Sequence, residues 1–225
     1  VHQSFRSPLP AVYGALNTLA GHLKLAFLTG VTKFGKISVF SALNNLMDLS
    51  MWEDYAALCG ITEQELHNNF EEGISQLAQT QGLTYDEACD ELKERYDGYH
   101  FVENSVGIYN PFSLLNTFAK RKFGNYWFET GTPTYLVELL KMHNYDLHNI
   151  ENIETDEDTL NSIDSSSTNP IPVIYQSGYL TIKDYDREFG TYYLGFPNRE
   201  VDEGFMKFLL PFYTDTDKVD VAFHI

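Results

Sequence analysis

The sequence has no G-x-x-x-x-G-K-(S/T) phosphate-binding loop anywhere in its 225 residues. It also has no apolar run that ends in paired acids of the kind that hold Mg²⁺. Since that loop supplies the main grip on a triphosphate, we expect no catalysis from this chain alone. A run of 18 apolar residues, a signal peptide and a lipidation motif are absent as well, so the sequence predicts no membrane partner.

Cysteine is scarce. Cys59 and Cys89 are the two in the chain, and they form no C-x-x-C motif. Such spacing does not predict a disulfide framework and is typical of structural thiols in a reducing compartment. We therefore expect a cytoplasmic protein.

Basic residues are few. Fifteen Lys and Arg residues face 32 Asp and Glu residues, which gives a formal net charge of -17. Nucleic-acid backbones and anionic membranes are repelled by such a surface, so the charge does not support nucleic acid as a partner. Lys120-Arg121-Lys122 is the one basic run in the sequence.

Apolar and aromatic residues are abundant, at 43% and 15% of the chain, which predicts a globular protein with a sizeable core. Apolar residues at helical spacing predict a helix over 11–23, and the run Leu25-Ala26-Phe27-Leu28-Thr29-Gly30 predicts a strand. Helix-start signals predict four further helices that form a helical bundle. These helices begin near Thr62, Thr84, Asn110 and Thr132 and run to about Gln79, Tyr96, Lys122 and Met142.

The last third of the sequence changes character. Residues 147–170 are rich in Asp, Glu, Ser, Thr and Asn, which predicts an acidic linker or long surface loop. The alternating segments Tyr179–Lys183 and Thr191–Leu194 predict a β-hairpin around an acidic turn, and a helix is expected from Pro197. Helix, hairpin and helix are compatible with a winged-helix-like segment.

Seven short segments stand in a characteristic order. They are FLTGVTKF from Phe27, VFSALNNL from Val39, YDGYHF from Tyr96, YNPFSLL from Tyr109, YWFETGTP from Tyr126, YQSGYLTI from Tyr175 and LGFPN from Leu194. Together they resemble the bacterial AAA-ATPase-like family whose members usually end in a PD-(D/E)XK nuclease-like domain. The resemblance covers the chain from about Val1 to about Thr214.

The resemblance implies an α/β remnant of a P-loop AAA-like sheet, followed by a mostly α-helical lid and a winged-helix-like segment with a β-hairpin. The corresponding ranges are 1–50 for the end of the AAA-like domain, 51–146 for the lid, 147–170 for the linker, 171–214 for the winged-helix-like segment and 215–225 for the start of a further linker. Family members carry the P-loop and Walker B strand before this region and the nuclease-like domain after it. ATP and Mg²⁺ are thus expected as cofactors of a full-length parent, and none is expected for this chain.

The resemblance also places the strand Leu25 to Thr29 at the sensor-1 strand of AAA-type folds. Thr29, Thr32 and Lys33 would then sense nucleotide, because hydroxyls and a lysine at a strand end can hydrogen-bond a γ-phosphate. The alternative is that Thr29-Gly30 merely ends a strand and Lys33 is a solvated loop cation. No catalytic and no metal residue is assigned.

Two other clusters contain residues of types that occur in catalytic or metal sites. Asp97 and His100 could form a general-base pair, but Asp-Gly after a helix is typical turn chemistry, which favours a structural role. Asp184, Asp186 and Glu188 alternate in the hairpin turn, where acids are common, so a metal site there is not favoured. His143 and His148 lack the spacing of a zinc motif.

Two functions remain in play. In the first, the chain belongs to an ATPase-like protein that couples ATP binding and hydrolysis to the nuclease-like domain, with both neighbouring parts as partners in cis. In the second, it is an interaction module that docks protein or nucleic acid independently of nucleotide. An uncovered sheet edge would also promote self-association, so a homo-oligomer is expected.

Overall fold

The computed structural model describes residues 14–15, 18–30, 47–129, 136, 138, 140, 142, 150, 152–161 and 169–213. Within them the fold is mixed α/β, with helices packed around two small antiparallel sheets. Among these residues, no helix combines the length and apolar character needed to cross a membrane.

The first described segments are exposed. Gly14, Ala15 and Thr18 are helical, and a short 3-10 helix spans Ala20–His22. Residues 25–30 have no regular secondary structure and are exposed, so the predicted strand Leu25–Thr29 is wrong for this structure. A strand is stabilised by hydrogen bonds to a neighbouring strand, and no described strand pairs with this segment. A segment rich in apolar residues therefore does not form a strand unless a neighbouring strand is available.

The predicted helices from Thr62, Thr84 and Asn110 are confirmed. Helix α1 spans Glu63–Gln81, α2 spans Tyr85–Tyr96 and α3 spans Pro111–Lys120. Thr62 and Thr84 each close a capping box with the glutamate three residues later, because hydroxyl and carboxylate satisfy the free amides of the first turn. Asn110 caps α3 in a similar way, with Pro111 at the first helical position.

These three helices enclose one apolar core. It contains Leu66, Ile74, Leu77, Ala78, Ala88, Leu92, Tyr96, Tyr109 and Leu114, all nearly or fully buried. Each such large side chain contributes about 1.5–3 kcal/mol when it leaves water. A two-stranded sheet of β1 (Ile61–Thr62) and β2 (Ile108–Tyr109) ties the start of α1 to the start of α3. The helical part of the chain therefore has its own hydrophobic centre.

A second core lies under a three-stranded sheet. Its strands are β3 (Ile153–Thr155), β4 (Thr181–Asp186) and β5 (Thr191–Gly195), in the antiparallel order β3-β5-β4. The β4–β5 pair is the predicted hairpin, which is confirmed. The strand β3, the helix α5 (Glu157–Asn161) and the buried side chains of Ile150 and Leu160 all belong to the range predicted as a linker. The range 147–170 is polar on average, but it includes Ile150, Ile153 and Leu160, whose side chains pack into the second core.

Three further helices have described bounds in this part. They are α4 (Tyr126–Glu129), α6 (Ile171–Gln176) and α7 (Arg199–Tyr213). The second core is rich in aromatic rings, among which Trp127, Phe128, Tyr179, Phe196 and Phe205 contact one another at centroid distances of 4.8–6.1 Å. Tilted and edge-to-face ring pairs of this kind stabilise beyond the burial of their area. The motifs around Trp127, Tyr179 and Phe196 are thus primarily packing motifs.

Candidate functional site

Two of the sequence motifs meet at one place. The turn Asp97-Gly98 follows α2, and the turn Phe196-Pro197-Asn198 precedes α7. Gly98 has a φ of 98°, and a Cβ atom there would overlap the carbonyl oxygen of Pro197. Glycine meets both conditions, because it adopts positive φ and allows close backbone approach. This contact positions the helical part of the chain against the start of α7.

A cleft of about 380 Å³ lies beside this contact. It is lined by Asn152, Lys183, Gly195, Phe196, Pro197, Asn198, Arg199 and Asp202. The ends of β4 and β5 form one wall and the first turn of α7 forms the other. The cleft is open to solvent and has a mainly polar lining, unlike the enclosed, mostly apolar pockets in which small ligands usually bind.

Lys183 is the most distinctive cation of the cleft. Its Nζ donates a hydrogen bond to the carbonyl oxygen of Pro197 at 3.2 Å. Partial desolvation lowers the pKa of Lys183, and the nearby Asp97 acts in the opposite direction. The lysine stem lies against Gly195, where a Cβ atom would come within 3.1 Å of its Cγ. The ammonium is therefore held at the cleft.

The first turn of α7 adds Asn198 and Arg199. The Oδ1 of Asn198 accepts the amide of Val201 at 3.1 Å, while its Nδ2 is buried and has no hydrogen-bond partner within the described part of the chain. Arg199 turns to α2 and along α7, where its Nε lies 2.7 Å from Glu203 and its Nη1 3.4 Å from Glu94. Lys183 and Asp202 are therefore the side chains of the lining whose charged groups could act on a ligand, because the Nδ2 of Asn198 is buried away from solvent and Arg199 is held by glutamates.

Asp97 and His100 do not form a catalytic pair. The Nδ1 of His100 lies 2.8 Å from the carbonyl oxygen of Ser105, and its backbone amide donates to Thr181 at 2.7 Å. Burial raises the pKa of Asp97, whose Oδ1 has no hydrogen-bond partner among the described residues. The hydrogen bonds of His100 join the loop to β4, which agrees with the structural interpretation of this motif.

Glu200 is the buried carboxylate next to the cleft. It is fully inaccessible to solvent, and its Oε1 accepts the amide of Trp127 at 3.0 Å. Burial raises the pKa of Glu200. The Oγ of Ser113 and the backbone amides of Trp127 and Tyr126 lower this pKa again, but by less than burial raises it. Glu200 therefore connects the first turn of α7 to the start of α4.

The burial of Glu200 is not evident from the sequence, because an acid in the first turn of a helix usually faces solvent and complements the helix dipole. The apolar residues around it, Phe196 and Val201, were the available signal. A buried acid needs amide donors from elsewhere in the chain, and the sequence does not show that Trp127 supplies one.

The residues predicted to sense nucleotide are not assembled into a site by the described structure. Thr29 is exposed in the irregular segment 25–30. Thr32 and Lys33 lie outside the described residues, as do His143 and His148. In the hairpin, Asp184 and Asp186 accept backbone amides of their own turn, and no group of three or more metal-binding side chains occurs in the part of the chain that the structure describes.

The chain is similar to a longer protein. It is 35% identical over 212 residues to a protein of Azotobacter chroococcum mcd 1 described as "Uncharacterized protein in vnfD 5'region". The match covers 93% of this chain and 39% of that protein, so the chain spans about two fifths of the length of this relative. No protein-family model matches the chain. No solved structure matches it either.

Proposed function

We propose that the chain is part of an ATPase-like protein and that, in a longer polypeptide, it couples ATP binding and hydrolysis to a nuclease-like domain. In this proposal residues 1–50 complete an AAA-like α/β domain, 51–146 form its helical lid and 171–214 form a winged-helix-like segment. Thr29, Thr32 and Lys33 sense the nucleotide, and ATP and Mg²⁺ are held by the longer protein.

One observation carries the proposal. Of the fourteen large apolar side chains that are exposed among the described residues, nine lie at or before residue 58. They are Leu19, Leu23, Leu25, Phe27, Leu28, Met47, Trp52, Tyr55 and Leu58. Scattered apolar side chains are normal on a protein surface, but this concentration is typical of a surface that another element covers.

One face of the segment 47–58 packs against the second core, and the other face is exposed. Met51 and Ala57 pack against the second core, whereas Trp52, Tyr55 and Leu58 are 40–56% exposed. The same region contains the strand-like sequence from Leu25 to Thr29, which has no partner strand in the described structure. A strand added beside residues 25–29 and helices that cover Trp52, Tyr55 and Leu58 would bury these exposed side chains. We identify these missing elements with the AAA-like α/β domain of the parent.

Hydrogen exchange and calorimetry test this assignment. A longer form that includes the preceding part of the parent is compared with the present chain. We expect the amides of 25–29 to exchange at least about tenfold more slowly in the longer form, because they become hydrogen-bonded in a sheet. ATP should bind the longer form and not this chain. Unprotected amides together with no ATP binding by the longer form would contradict the proposal.

Turnover tests the sensor residue separately. Lys33→Ala in the longer form should lower ATP turnover by about tenfold or more, since it removes a charged hydrogen bond to the γ-phosphate. Lys24→Ala, which removes an exposed lysine of the same region, is the matched control and should leave turnover unchanged. Equal turnover of the wild type and Lys33→Ala would exclude Lys33 as a sensor.

A further inference from the structure

Two exposed surfaces of the chain carry apolar side chains beside charges of opposite sign. The first is the tip of the β4–β5 hairpin, which carries one aromatic ring among acids. The second is a face of α3, which carries a stripe of apolar side chains that ends in the basic run. The basic run stands out in a chain whose net charge is -17.

The hairpin tip carries one projecting aromatic ring. Phe189 is 75% exposed, and its ring contacts no other aromatic ring in the described parts of the chain. Its backbone is nevertheless held, because the Oδ1 of Asp186 accepts the amides of Glu188 at 2.8 Å and Phe189 at 3.2 Å. Gly190, with a φ of 64°, closes the turn. Neither these backbone hydrogen bonds nor Gly190 requires an aromatic residue at position 189, so the turn itself does not explain the ring of Phe189.

The hairpin tip is acidic, and contacts with neighbouring residues support it. The rings of Tyr185 and Tyr192 lie 4.5 Å apart across the strands behind it. Arg187 forms an ion pair of 3.7 Å with Glu103 in the preceding loop. The tip, residues 184–190, holds three acids and one arginine, which gives it a net charge of -2. Because the backbone of the turn is already held, binding through this ring requires little further ordering of the main chain.

The face of α3 presents the opposite chemistry. Phe112 and Leu115 are 46% and 49% exposed, and Ala119 is exposed one turn further on. The spacing of three and four residues places all three on one side of the helix. The exposed run Lys120-Arg121-Lys122 follows directly. Arg121 donates to the neutral amide of Gln76 at 2.9 Å, so that contact does not neutralise its charge.

We propose that these two surfaces bind each other between copies of the chain: the Phe189 ring of one copy lies on the Phe112–Leu115–Ala119 stripe of another, and the acidic tip faces the basic run. Each copy offers one tip and one helix face, so the contact is head-to-tail and leads to a ring or an open chain of subunits. The complementary charges select the orientation and reject tip-to-tip contacts between like charges.

Sedimentation velocity over a range of protein concentrations tests the contact. Wild-type protein should associate in a concentration-dependent manner, and the association should weaken as salt is raised from 0.05 to about 0.5 M because the paired charges are exposed. Phe189→Ser and Leu115→Ser should each weaken association by about 30-fold or more, as expected for the centre of an interface. Val106→Ser, which alters a 63% exposed side chain outside both surfaces, is the control and should associate like the wild type.

Mixing the two variants tests directly whether the hairpin tip of one copy binds the helix face of another. Phe189→Ser keeps an intact helix face and Leu115→Ser keeps an intact tip, so the mixture should form a one-to-one dimer that neither variant forms alone. Circular dichroism and thermal unfolding of each variant establish that it is folded. A wild type that stays monomeric, or a mixture that does not associate, would overturn the proposal.

A separate variant distinguishes this contact from the surface used for the proposed function. Leu25→Ser changes the exposed segment 25–30 and should leave the head-to-tail association intact. If Leu25→Ser abolishes association and Phe189→Ser does not, the copies associate through the uncovered N-terminal segments, and the tip-to-helix contact is wrong.

Discussion

Gly98 and Pro197 meet backbone to backbone, and the meeting joins the helical part of the chain to the sheet and α7. A side chain at position 98 would overlap the carbonyl oxygen of Pro197, which also accepts the hydrogen bond from Lys183. The same turn continues to His100, whose amide and carbonyl both bond to the hydroxyl of Thr181. The YDGYH motif is therefore a joint between two cores, which explains its unusual density of turn and aromatic residues.

Replacing this glycine should be more harmful than its φ alone explains. We expect Gly98→Ala to lower the free energy of unfolding by at least about 3 kcal/mol, because it combines a left-handed backbone with a clash against backbone atoms. Gly82→Ala is the matched control, since Gly82 has a φ of 71° but open space around its Cα. Its loss should be about 1–2 kcal/mol. Urea denaturation measures both, and equal losses would show that the contact with Pro197 is unimportant.

Replacing Gly204 by alanine should destabilise the protein, although the same replacement usually stabilises a helix. Replacing a helical glycine by alanine normally stabilises by about 1 kcal/mol. Gly204 lies in α7 directly under the ring of Phe128, which a Cβ atom would overlap. We expect Gly204→Ala to lose about 2 kcal/mol or more, because Phe128 is buried and its ring must be displaced.

The control for this prediction is Gly73→Ala in α1. There a Cβ atom would lie 3.3 Å from the ring of the partly buried Phe118, which can shift by a few tenths of an ångström. Its effect should fall within about 1 kcal/mol of zero. Thermal unfolding of both variants decides the matter, and a stabilised Gly204→Ala protein would contradict the packing described here.

The parts of the fold that the sequence predicted correctly depend on local chemistry. The capping boxes at Thr62 and Thr84 and the hairpin around residues 187–190 are specified by residues within a few positions of one another. Their hydrogen bonds form within the segment itself. The starts of α1 and α2 and the existence of the hairpin therefore followed from short patterns, whereas its first strand spans Thr181–Asp186 and not Tyr179–Lys183.

The parts that escaped prediction depend on distant partners. The segment 25–29 has the composition of a strand but no described neighbour to pair with. The strand β3 lies in an acidic range and exists because β5 provides its hydrogen-bond partners. Glu200 and the cleft likewise require Trp127, Lys183 and Asn152, which are remote from α7 in sequence. A local pattern carries no information about such partners.

Asn198 should stabilise α7 through its oxygen alone. Its Oδ1 accepts the amide of Val201, whereas its Nδ2 has no hydrogen-bond partner within the described ranges. Asn198→Ala should cost about 1 kcal/mol, the usual loss of a helix N-cap. Asn198→Ser keeps a side-chain oxygen for the amide of Val201 and removes Nδ2, so its unfolding free energy should stay within about 0.5 kcal/mol of the wild type. Similar losses in both variants would mean that the amide nitrogen is needed.

Glu200 should make the protein less stable as the pH rises. Its pKa in the folded state is raised by burial above its ordinary value of about 4.3. The folded protein therefore holds this proton more tightly than the unfolded chain does, and the stability contributed by the neutral acid is lost as the pH rises from about 4.3 through the folded-state pKa. Glu200→Gln keeps a neutral group of the same shape and an oxygen for the amide of Trp127.

The difference in unfolding free energy between Glu200→Gln and the wild type isolates this effect, because the other titrating groups are common to both. We expect the difference to be small at pH 4 and to grow in favour of glutamine with a slope of up to about 1.4 kcal/mol per pH unit between the two pKa values. Glu200→Ala, which leaves a cavity and an unpaired amide at Trp127, should be less stable than Glu200→Gln by about 2 kcal/mol at every pH. Urea denaturation from pH 4 to 8 measures all three proteins. A difference that stays constant with pH would show that Glu200 carries its charge in the folded protein as readily as in water, and that the amide donors of α4 fully offset its burial.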